Sequence, residues 1–313
     1  MESSKADILI SAYGSEYFEQ CLKSALNQRM AASVIVCDNT QNNAVSDIIN
    51  RYSCNKLKYF KPEKPLWRHT SCVKLAEMAT APWVRFIDDC EILSENSLEK
   101  RLEQSDTFGG ISMTFSSYIT VTPDGRKERT TYNLPEYVKG TDYLFNVFTE
   151  VPFRRFTNVL IRRDIVVSSL FKGLPDRPNC FPSAAAMLAM AEGDLVYTSE
   201  SLVLRYEPEI EDTTDIETML DETDCIIDII NYVESATEDK KRALKLRKEL
   251  LSQTFKQNTV RLLRKKQYRE VREYIYESWQ NDRASVLSGL FHLSVMGLIA
   301  KALMKSLRVF HKD

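Results

Sequence analysis

Short apolar runs alternate with helical patterns along the first ninety residues of the chain. Apolar runs cover 8–10 and 34–37, and two further short strands are predicted at 58–60 and 83–87. Between them, apolar residues recur at helical spacing over 16–26, 45–49 and 73–78. Strands that alternate with helices form a mostly parallel sheet that helices cover on both faces. The pattern therefore predicts an α/β fold.

Polar residues follow three of these predicted strands at the point where each strand ends. They are residues 11–14, 38–40 and 88–91. Ligands of open α/β sheets bind outside the carboxyl ends of the strands. We therefore expect the three segments to lie on one edge of the sheet and to form a binding site there.

The most informative of these segments is the cluster of carboxylates Asp88, Asp89 and Glu91. Hard cations such as Mg²⁺ and Mn²⁺ take one or two carboxylates and leave their other positions to phosphate oxygens and water. The cluster therefore predicts a metal ion that bridges a diphosphate. The alternative interpretation is a strand that ends in an acidic surface turn.

Four motifs, in this order, resemble the family 2 glycosyltransferases of the GT-A fold. They are Ile-Leu-Ile-Ser-Ala-Tyr at 8–13, Leu-Lys-Ser-Ala-Leu-Asn-Gln at 22–28, Val-Ile-Val-Cys-Asp-Asn-Thr at 34–40 and Phe-Ile-Asp-Asp-Cys-Glu at 86–91. The resemblance covers roughly the first hundred residues well and the next hundred more loosely. It implies a GT-A type, mostly parallel sheet flanked by helices. It also implies transfer of a sugar from a nucleotide diphosphate donor to a glycan acceptor, and the donor that we expect is a UDP-sugar.

The resemblance assigns the nucleotide to the ends of the first two strands. Ser11 and Tyr13, at the end of the first strand, would hold the nucleotide, and Asp38 would accept a hydrogen bond from the base. The alternative role for Asp38 is to form a turn before Asn39.

The resemblance assigns the metal to the acidic cluster. Asp88 would face the ribose or the metal, and Asp89 would bind the metal. Cys90 stands where many members of the family carry a further Asp, and a thiol is a soft ligand that is poorly matched to Mg²⁺ or Mn²⁺. Glu91 is the residue that we expect to substitute for that ligand.

Basic residues are further candidates for binding the diphosphate. Arg68 and His69 come just before the third predicted helix, where a helix N-terminus and a cation together suit a phosphate. The alternative is an exposed arginine beside a surface histidine. The same two interpretations apply to the arginines in and beside a later predicted strand, which are Arg154, Arg155, Arg162 and Arg163.

The catalytic base is assigned by position. An inverting transferase needs a carboxylate that removes the proton of the acceptor hydroxyl. Family members usually carry this acid just before a helix that is predicted here over 183–191, but no acid stands there. The nearest preceding carboxylate is Asp176, which we predict as the base, with Glu192 and Asp194 as alternatives. If Asp176 only forms a turn, the chain is a retaining or a degenerate enzyme.

The composition of the chain changes near residue 209. We predict that residues 1–208 form the GT-A domain and that residues 209–313 form a helical C-terminal region. An acidic stretch over 209–224 precedes predicted helices at 240–264 and 267–279. The uncharged run 284–300 is shorter than the roughly 20 residues that span a bilayer. We therefore expect it to lie at a membrane interface or to pack into a bundle of helices.

The net charge of -2 conceals an asymmetry between the two regions. Residues 236–313 carry 18 Lys and Arg against 8 Asp and Glu, a balance of +10, whereas residues 1–235 carry 24 against 36. The C-terminal region is therefore the part that we expect to meet an anionic partner, such as a membrane surface that carries a lipid-linked glycan acceptor. It lacks the interleaved aromatic residues of a nucleic-acid module, so no nucleic acid is expected.

The cysteines and the N-terminus predict the compartment. Seven cysteines lack any CxxC spacing, and residues 1–5 contain no apolar signal region. We therefore expect reduced thiols in the cytoplasm, with the chain peripheral on the inner face of the membrane.

Two functions remain open at this point. The first is a metal-dependent, inverting glycosyltransferase in bacterial-type surface polysaccharide synthesis. The second is a binding or scaffold protein that kept the GT-A fold and lost the chemistry, which Cys90 and the missing acid before residue 183 suggest.

Overall fold

The computed structural model describes residues 5–146, 159–173, 180–207, 215–284 and 286–289. The chain divides into two compact units. The first comprises Met1–Leu144 and Pro152–Glu211, and the second comprises Phe145–Val151 and Asp212–Asp313. The boundary predicted between residues 208 and 209 stays a prediction.

Strands and helices alternate over the first ninety residues as predicted, and further strands and helices follow. The strands are β1 (Ala6–Ala12), β2 (Ala31–Asp38), β3 (Leu57–Phe60), β4 (Trp83–Asp88), β5 (Glu91–Leu93), β6 (Ile111–Val121), β7 (Lys127–Thr130), β8 (Tyr137–Val138), β9 (Val159–Arg162) and β10 (Asp194–Tyr206). The helices are α1 (Phe18–Leu26), α2 (Ala44–Ile49), α3 (Arg68–Met78), α4 (Ser97–Thr107), α5 (Gly140–Asn146), α6 (Arg163–Val166), α7 (Ser169–Lys172), α8 (Cys180–Glu192), α9 (Ile216–Ala236), α10 (Lys240–Arg264) and α11 (Tyr268–Asn281).

The strands form one sheet in the order β3-β2-β1-β4-β9-β6-β10-β5, with β7 beside β6 and β8 beside β10. Strands β3, β2, β1 and β4 run parallel, as predicted. Ser11 is in register with Asp88 of β4, and Ala12 is in register with Asp38 of β2. The three polar segments that follow these strands therefore start at the same edge of the sheet.

The rest of the sheet mixes strand directions. Strand β9 is antiparallel to β4 and to β6, whereas β10 runs parallel to β6 and antiparallel to β5. Strands β6 and β7 form a hairpin, and Gly125 in its turn has a φ of 81°. That left-handed conformation favours glycine. The antiparallel pair β5 and β10 places Arg205 directly opposite Glu91.

The core of the first unit follows from the apolar pattern. Every residue of β1 is buried, as a central strand with both faces covered requires. Helix α1 buries residues at the spacing i, i+3, i+4 and i+7, namely Phe18, Cys21, Leu22 and Ala25. They pack in one apolar cluster with β1, β2 and β4.

Helix α3 begins at Arg68, five residues before the start that its apolar pattern predicted. Arg68 and His69 therefore lie in its first turn. The interpretation of His69 as a surface residue is wrong, because His69 is 3% exposed and its ring centroid lies 5.1 Å from that of Phe171.

The second unit contains helices α9, α10 and α11. Asp215 caps α9 by accepting a hydrogen bond from the backbone N–H of Thr218 at 2.7 Å. Helix α10 spans the predicted 240–264. Residues 208–214 and 290–313 lie outside the described residues, so most of the predicted C-terminal helix does too. Among the helices that are described, none has the length and apolar composition of a membrane span.

Gly140 provides a test of packing in the first unit. A Cβ at Gly140 would lie 1.9 Å from the backbone oxygen of Gly193, so any side chain must push two backbone segments apart. We expect Gly140→Ala to lower the free energy of unfolding by about 1–3 kcal/mol or more, as measured by urea denaturation. The matched control is Gly109→Ala, since a Cβ there meets no atom within 4 Å. Equal stability of the two variants would contradict this packing.

Candidate active site

Asp88 is the residue around which the polar edge of the sheet is organised. It ends β4, is 7% exposed, and its carboxylate accepts hydrogen bonds from Arg68 and, at 2.8 Å, from Arg205. Burial alone would raise the pKa of Asp88, but the two guanidinium groups hold it down to about 2. Asp88 is therefore an ionised carboxylate between two cations.

Glu91 lies behind Asp88 and is fully buried. It accepts one hydrogen bond from Arg205 at 2.5 Å and another from the backbone N–H of Asp88 at 3.1 Å. Burial raises the pKa of Glu91 to about 7, although Arg205 opposes this shift. Glu91 thus serves as an internal partner of Arg205.

Asp89 points away from this pair and towards the loop after β1. Its Oδ2 accepts hydrogen bonds from the backbone N–H groups of Tyr13 at 2.6 Å and Ser15 at 3.0 Å. Burial raises the pKa of Asp89, and these N–H groups oppose the shift. Asp89 therefore fixes the loop that carries Tyr13.

Tyr13 presents an exposed ring at this edge. It is 43% exposed, and its hydroxyl donates to the backbone oxygen of Leu66 at 3.4 Å. Trp67, which follows Leu66 in the sequence, is 62% exposed. Exposed aromatic rings beside a charged cluster suit a ligand with one flat face and one anionic end.

Ser11 lies beneath this surface. It is 4% exposed, and its hydroxyl forms a hydrogen bond of 2.9 Å with that of Ser71 in α3. The side-chain amide of Asn39 donates to the same Ser71 hydroxyl at 3.2 Å. These bonds join α3 to the ends of β1 and β2. The nucleotide contact predicted for Ser11 stays a prediction.

Asp38 has protein donors on both of its oxygens. Oδ1 accepts from the backbone N–H of Thr40 at 2.9 Å and from its hydroxyl at 2.6 Å. Oδ2 accepts from the hydroxyl of Tyr59 at 2.7 Å and forms an ion pair with Lys61 at 3.2 Å. A carboxylate has about four acceptor positions. The predicted contact with a base therefore stays a prediction, and it requires one of these donors to move.

The carboxylates at this edge do not fit a divalent cation. Asp88, Asp89 and Glu91 each accept bonds from protein donors, and the thiol of Cys90 is 6% exposed with a pKa that burial raises to about 12. Within the described ranges, no three His, Cys, Asp or Glu residues form a group that could hold a metal ion. Mg²⁺ or Mn²⁺ stays a prediction of the sequence, and we derive no chemical step from it.

Of the three candidates for the catalytic base, the structure describes Glu192 and Asp194. Asp176 lies outside the described residues. Asp194 accepts hydrogen bonds from the hydroxyl of Tyr137 and, at 3.1 Å, from the backbone N–H of Gly140, so it ties β10 to its neighbours. Glu192 is the last residue of α8. The assignment of Asp176 as the base stays a prediction.

Of the four later arginines proposed to bind the diphosphate, the structure describes Arg162 and Arg163. Arg154 and Arg155 lie outside the described residues. Arg162 forms an exposed ion pair with Asp164, and Nε of Arg163 donates to the backbone oxygen of Ala76 at 3.1 Å. Neither of these two contacts involves the acidic cluster.

Arg205 is the member of this cluster that sequence reasoning missed. It lies in β10, and the rings of its neighbour Tyr206 and of Tyr17 stack with centroids 3.8 Å apart. The backbone N–H of Tyr206 donates to the oxygen of Cys90 at 2.9 Å. The signal in the sequence is a charged residue that directly follows the apolar run 202–204.

Comparison with known proteins decides the family. The model of glycosyl transferase family 2 matches residues 7–168, just over half of the chain. The chain belongs to glycosyl transferase family 2. The family predicted from the four motifs is thus confirmed. A search of curated protein sequences found no match.

Solved structures agree on the fold of this family 2 chain. The crystal structure of S. aureus TarS 1-349 in complex with UDP-GlcNAc matches with a TM-score of 0.72 and 14% identity, covering 95% of this chain and 89% of that one. The complex of the same protein with UDP has a TM-score of 0.66 at 15% identity, with the same coverage. In another S. aureus TarS structure, the match covers 43% of that chain. The predicted GT-A fold with C-terminal helices is confirmed.

Proposed function

We propose that this chain transfers a sugar from a nucleoside diphosphate sugar, with UDP-sugars as the first candidates, to a glycan acceptor in bacterial-type surface polysaccharide synthesis. The observation that carries the proposal is the arrangement of Asp88 between Arg68 and Arg205 beside the exposed ring of Tyr13. Guanidinium groups suit phosphate oxygens, and an aromatic ring suits a base. The similar TarS structures contain UDP-GlcNAc and UDP, which supports a uridine nucleotide.

The chemistry that we assign is inversion at the sugar carbon. A carboxylate removes the proton of the acceptor hydroxyl as the acceptor oxygen forms a bond to the anomeric carbon of the sugar. The bond from that carbon to the diphosphate breaks on the opposite side, and the nucleoside diphosphate is released. We place Asp176 in this role, since it is the acid nearest to the usual position in the family. Donors fixed near the leaving diphosphate stabilise the negative charge that develops on it.

A screen of nucleotide sugars tests the proposal. The purified chain is incubated with UDP-, GDP-, CDP- and dTDP-sugars and with glycan or lipid-linked acceptors, in the presence and absence of Mn²⁺. Release of one nucleoside diphosphate together with a glycosylated product would support a transferase, and the anomeric configuration of the product reports inversion. If no donor is bound or turned over, the proposal fails.

The alternative is a GT-A protein that binds a nucleotide without transferring a sugar. The protein donors on every carboxylate of the acidic cluster favour this alternative. Binding of UDP-sugars without hydrolysis or transfer, across the whole acceptor panel, would support the alternative over the enzyme.

We also propose that the C-terminal region brings the chain to the cytoplasmic face of an anionic membrane. Three basic residues, Lys301, Lys305 and Arg308, follow the uncharged run 284–300. Each basic residue near such a surface contributes about 1 kcal/mol. We therefore expect replacement of all three by Gln to weaken co-sedimentation with anionic liposomes by roughly 100-fold at low salt. Neutral liposomes are the control. Equal binding of the unmodified protein and the triple variant to anionic liposomes would contradict the prediction.

A further inference from the structure

The acidic cluster already contains a cation, because Arg205 lies where two carboxylates converge. Its Nη1 donates to Asp88 at 2.8 Å and to Glu91 at 2.5 Å. The side chain of Arg205 is 12% exposed, that of Asp88 is 10% exposed and that of Glu91 is fully buried. Such a buried pair persists because each charge compensates the other, and removing one partner leaves an uncompensated charge.

The pairing of strands β5 and β10 maintains this arrangement. Arg205 and Glu91 are direct neighbours across the antiparallel strands β10 and β5, so their side chains leave the same face of the sheet. The bond from the N–H of Tyr206 to the oxygen of Cys90 fixes the register one residue further on. A divalent cation that entered the cluster would have to displace Arg205 or lie beside its positive charge.

Arg68 lies on the more accessible side of Asp88. Its side chain is 32% exposed and donates to Asp88 through Nη1. A guanidinium carries five N–H donors in a planar fork, so one bond to Asp88 orients the group and leaves donors for phosphate oxygens. The position of Arg68 in the first turn of α3 adds the positive end of an eleven-residue helix.

We propose that this chain binds its nucleoside diphosphate without a divalent cation. Arg205 replaces the metal ion among the carboxylates, and Arg68 contacts the diphosphate. The inference rests on the proposed function, because it concerns how the same donor is bound. Arg68 would then stabilise the charge on the leaving diphosphate, whereas Arg205 is a positioning residue that holds Asp88 and Glu91.

Calorimetry on the full chain tests the proposal, with UDP, GDP, CDP and dTDP titrated in EDTA and in MnCl₂. For the nucleotide that binds, we expect dissociation constants that agree within about two-fold between the two buffers. Arg68→Gln should weaken binding by roughly 10–100-fold in both buffers, the usual effect of losing a hydrogen bond to a charged group. The matched control is Arg29→Gln, since the side chain of Arg29 is 77% exposed and forms a surface ion pair with Glu99 at 3.5 Å.

A second measurement follows the metal alone. We expect MnCl₂ to leave the melting temperature of the unmodified chain unchanged, and to raise that of Arg205→Gln, in which Asp88 and Glu91 are released for a cation. If Arg205→Gln does not fold, the nucleotide affinities of the unmodified chain and of Arg68→Gln, in EDTA and in MnCl₂, still test whether binding needs a divalent cation.

The outcomes separate this inference from the proposed function. Binding at least ten-fold tighter in MnCl₂ than in EDTA would overturn metal independence and leave the transferase intact. Unchanged affinity of Arg68→Gln would overturn the role of Arg68. Failure of all four nucleotides to bind in either buffer would overturn the proposed function itself.

Discussion

Replacing Asp176 by Asn should reduce turnover of the best donor and acceptor pair by roughly 10²–10⁴, the usual contribution of a general base. An amide cannot take the proton of the acceptor hydroxyl, but it preserves the size and shape of the side chain. We therefore expect nucleotide affinity to change little. Initial rates at saturating substrate, together with calorimetric affinity for the nucleotide, measure the two effects separately.

The control for this prediction is Asp124→Asn. Asp124 lies in the turn of the β6–β7 hairpin, where its side chain is 55% exposed and pairs with Arg126. We expect turnover of this variant to stay near that of the unmodified chain. Near-normal turnover of Asp176→Asn would exclude Asp176 as the base, and Glu192→Gln and Asp194→Asn would then be compared in the same assay.

The parallel half of the sheet was predictable because its signal is local. Each of the strands β1, β2 and β4 contains apolar residues that run into polar ones at its carboxyl end, and the rules for parallel sheets place these ends together. Helix α10 was equally accessible, since 240–264 contains neither glycine nor proline and has residues with strong helix propensity. In these segments the residues themselves favour the conformation that the fold requires, so the predicted and observed elements agree.

The partners of the acidic cluster were not predictable, because they depend on strand pairing over long distances in sequence. Arg205 is 114 residues from Glu91, and only the antiparallel pairing of β10 with β5 brings them together. His69 shows the same difficulty on a smaller scale. Its ring lies beside that of Phe171, a residue distant in sequence that no pattern around α3 indicates.

The predicted roles of the carboxylates illustrate a further limit of sequence reasoning. The sequence shows that acidic residues stand at a strand end, but it does not show which groups surround them in the fold. For a buried carboxylate, the nearby charges and hydrogen-bond donors determine the pKa. Asp88, between two arginines, is strongly acidic, whereas Glu91, buried behind them, is weakly acidic. Two carboxylates of the same short acidic segment therefore have different pKa values.

Replacing Asp89 by Ala should lower the affinity for nucleoside diphosphates by at least about ten-fold, because the loop that carries Tyr13 loses its anchor. The N–H groups of Tyr13 and Ser15 both donate to the Asp89 carboxylate, and a buried donor left without a partner costs about 1–3 kcal/mol. Calorimetry with UDP, in EDTA and in MnCl₂, measures the effect. We expect the same loss in both buffers.

The matched variant Asp89→Asn distinguishes a loop anchor from a metal ligand. Its amide oxygen can still accept both N–H bonds, so a loop anchor predicts affinity closer to that of the unmodified chain. A metal ligand predicts that Asn is as damaging as Ala, since the negative charge is lost in both, and that the loss appears only in MnCl₂. The second result would place Asp89 in a metal site, as its position after β4 first indicated, and would require Arg205 to move away from the cluster when the nucleotide binds.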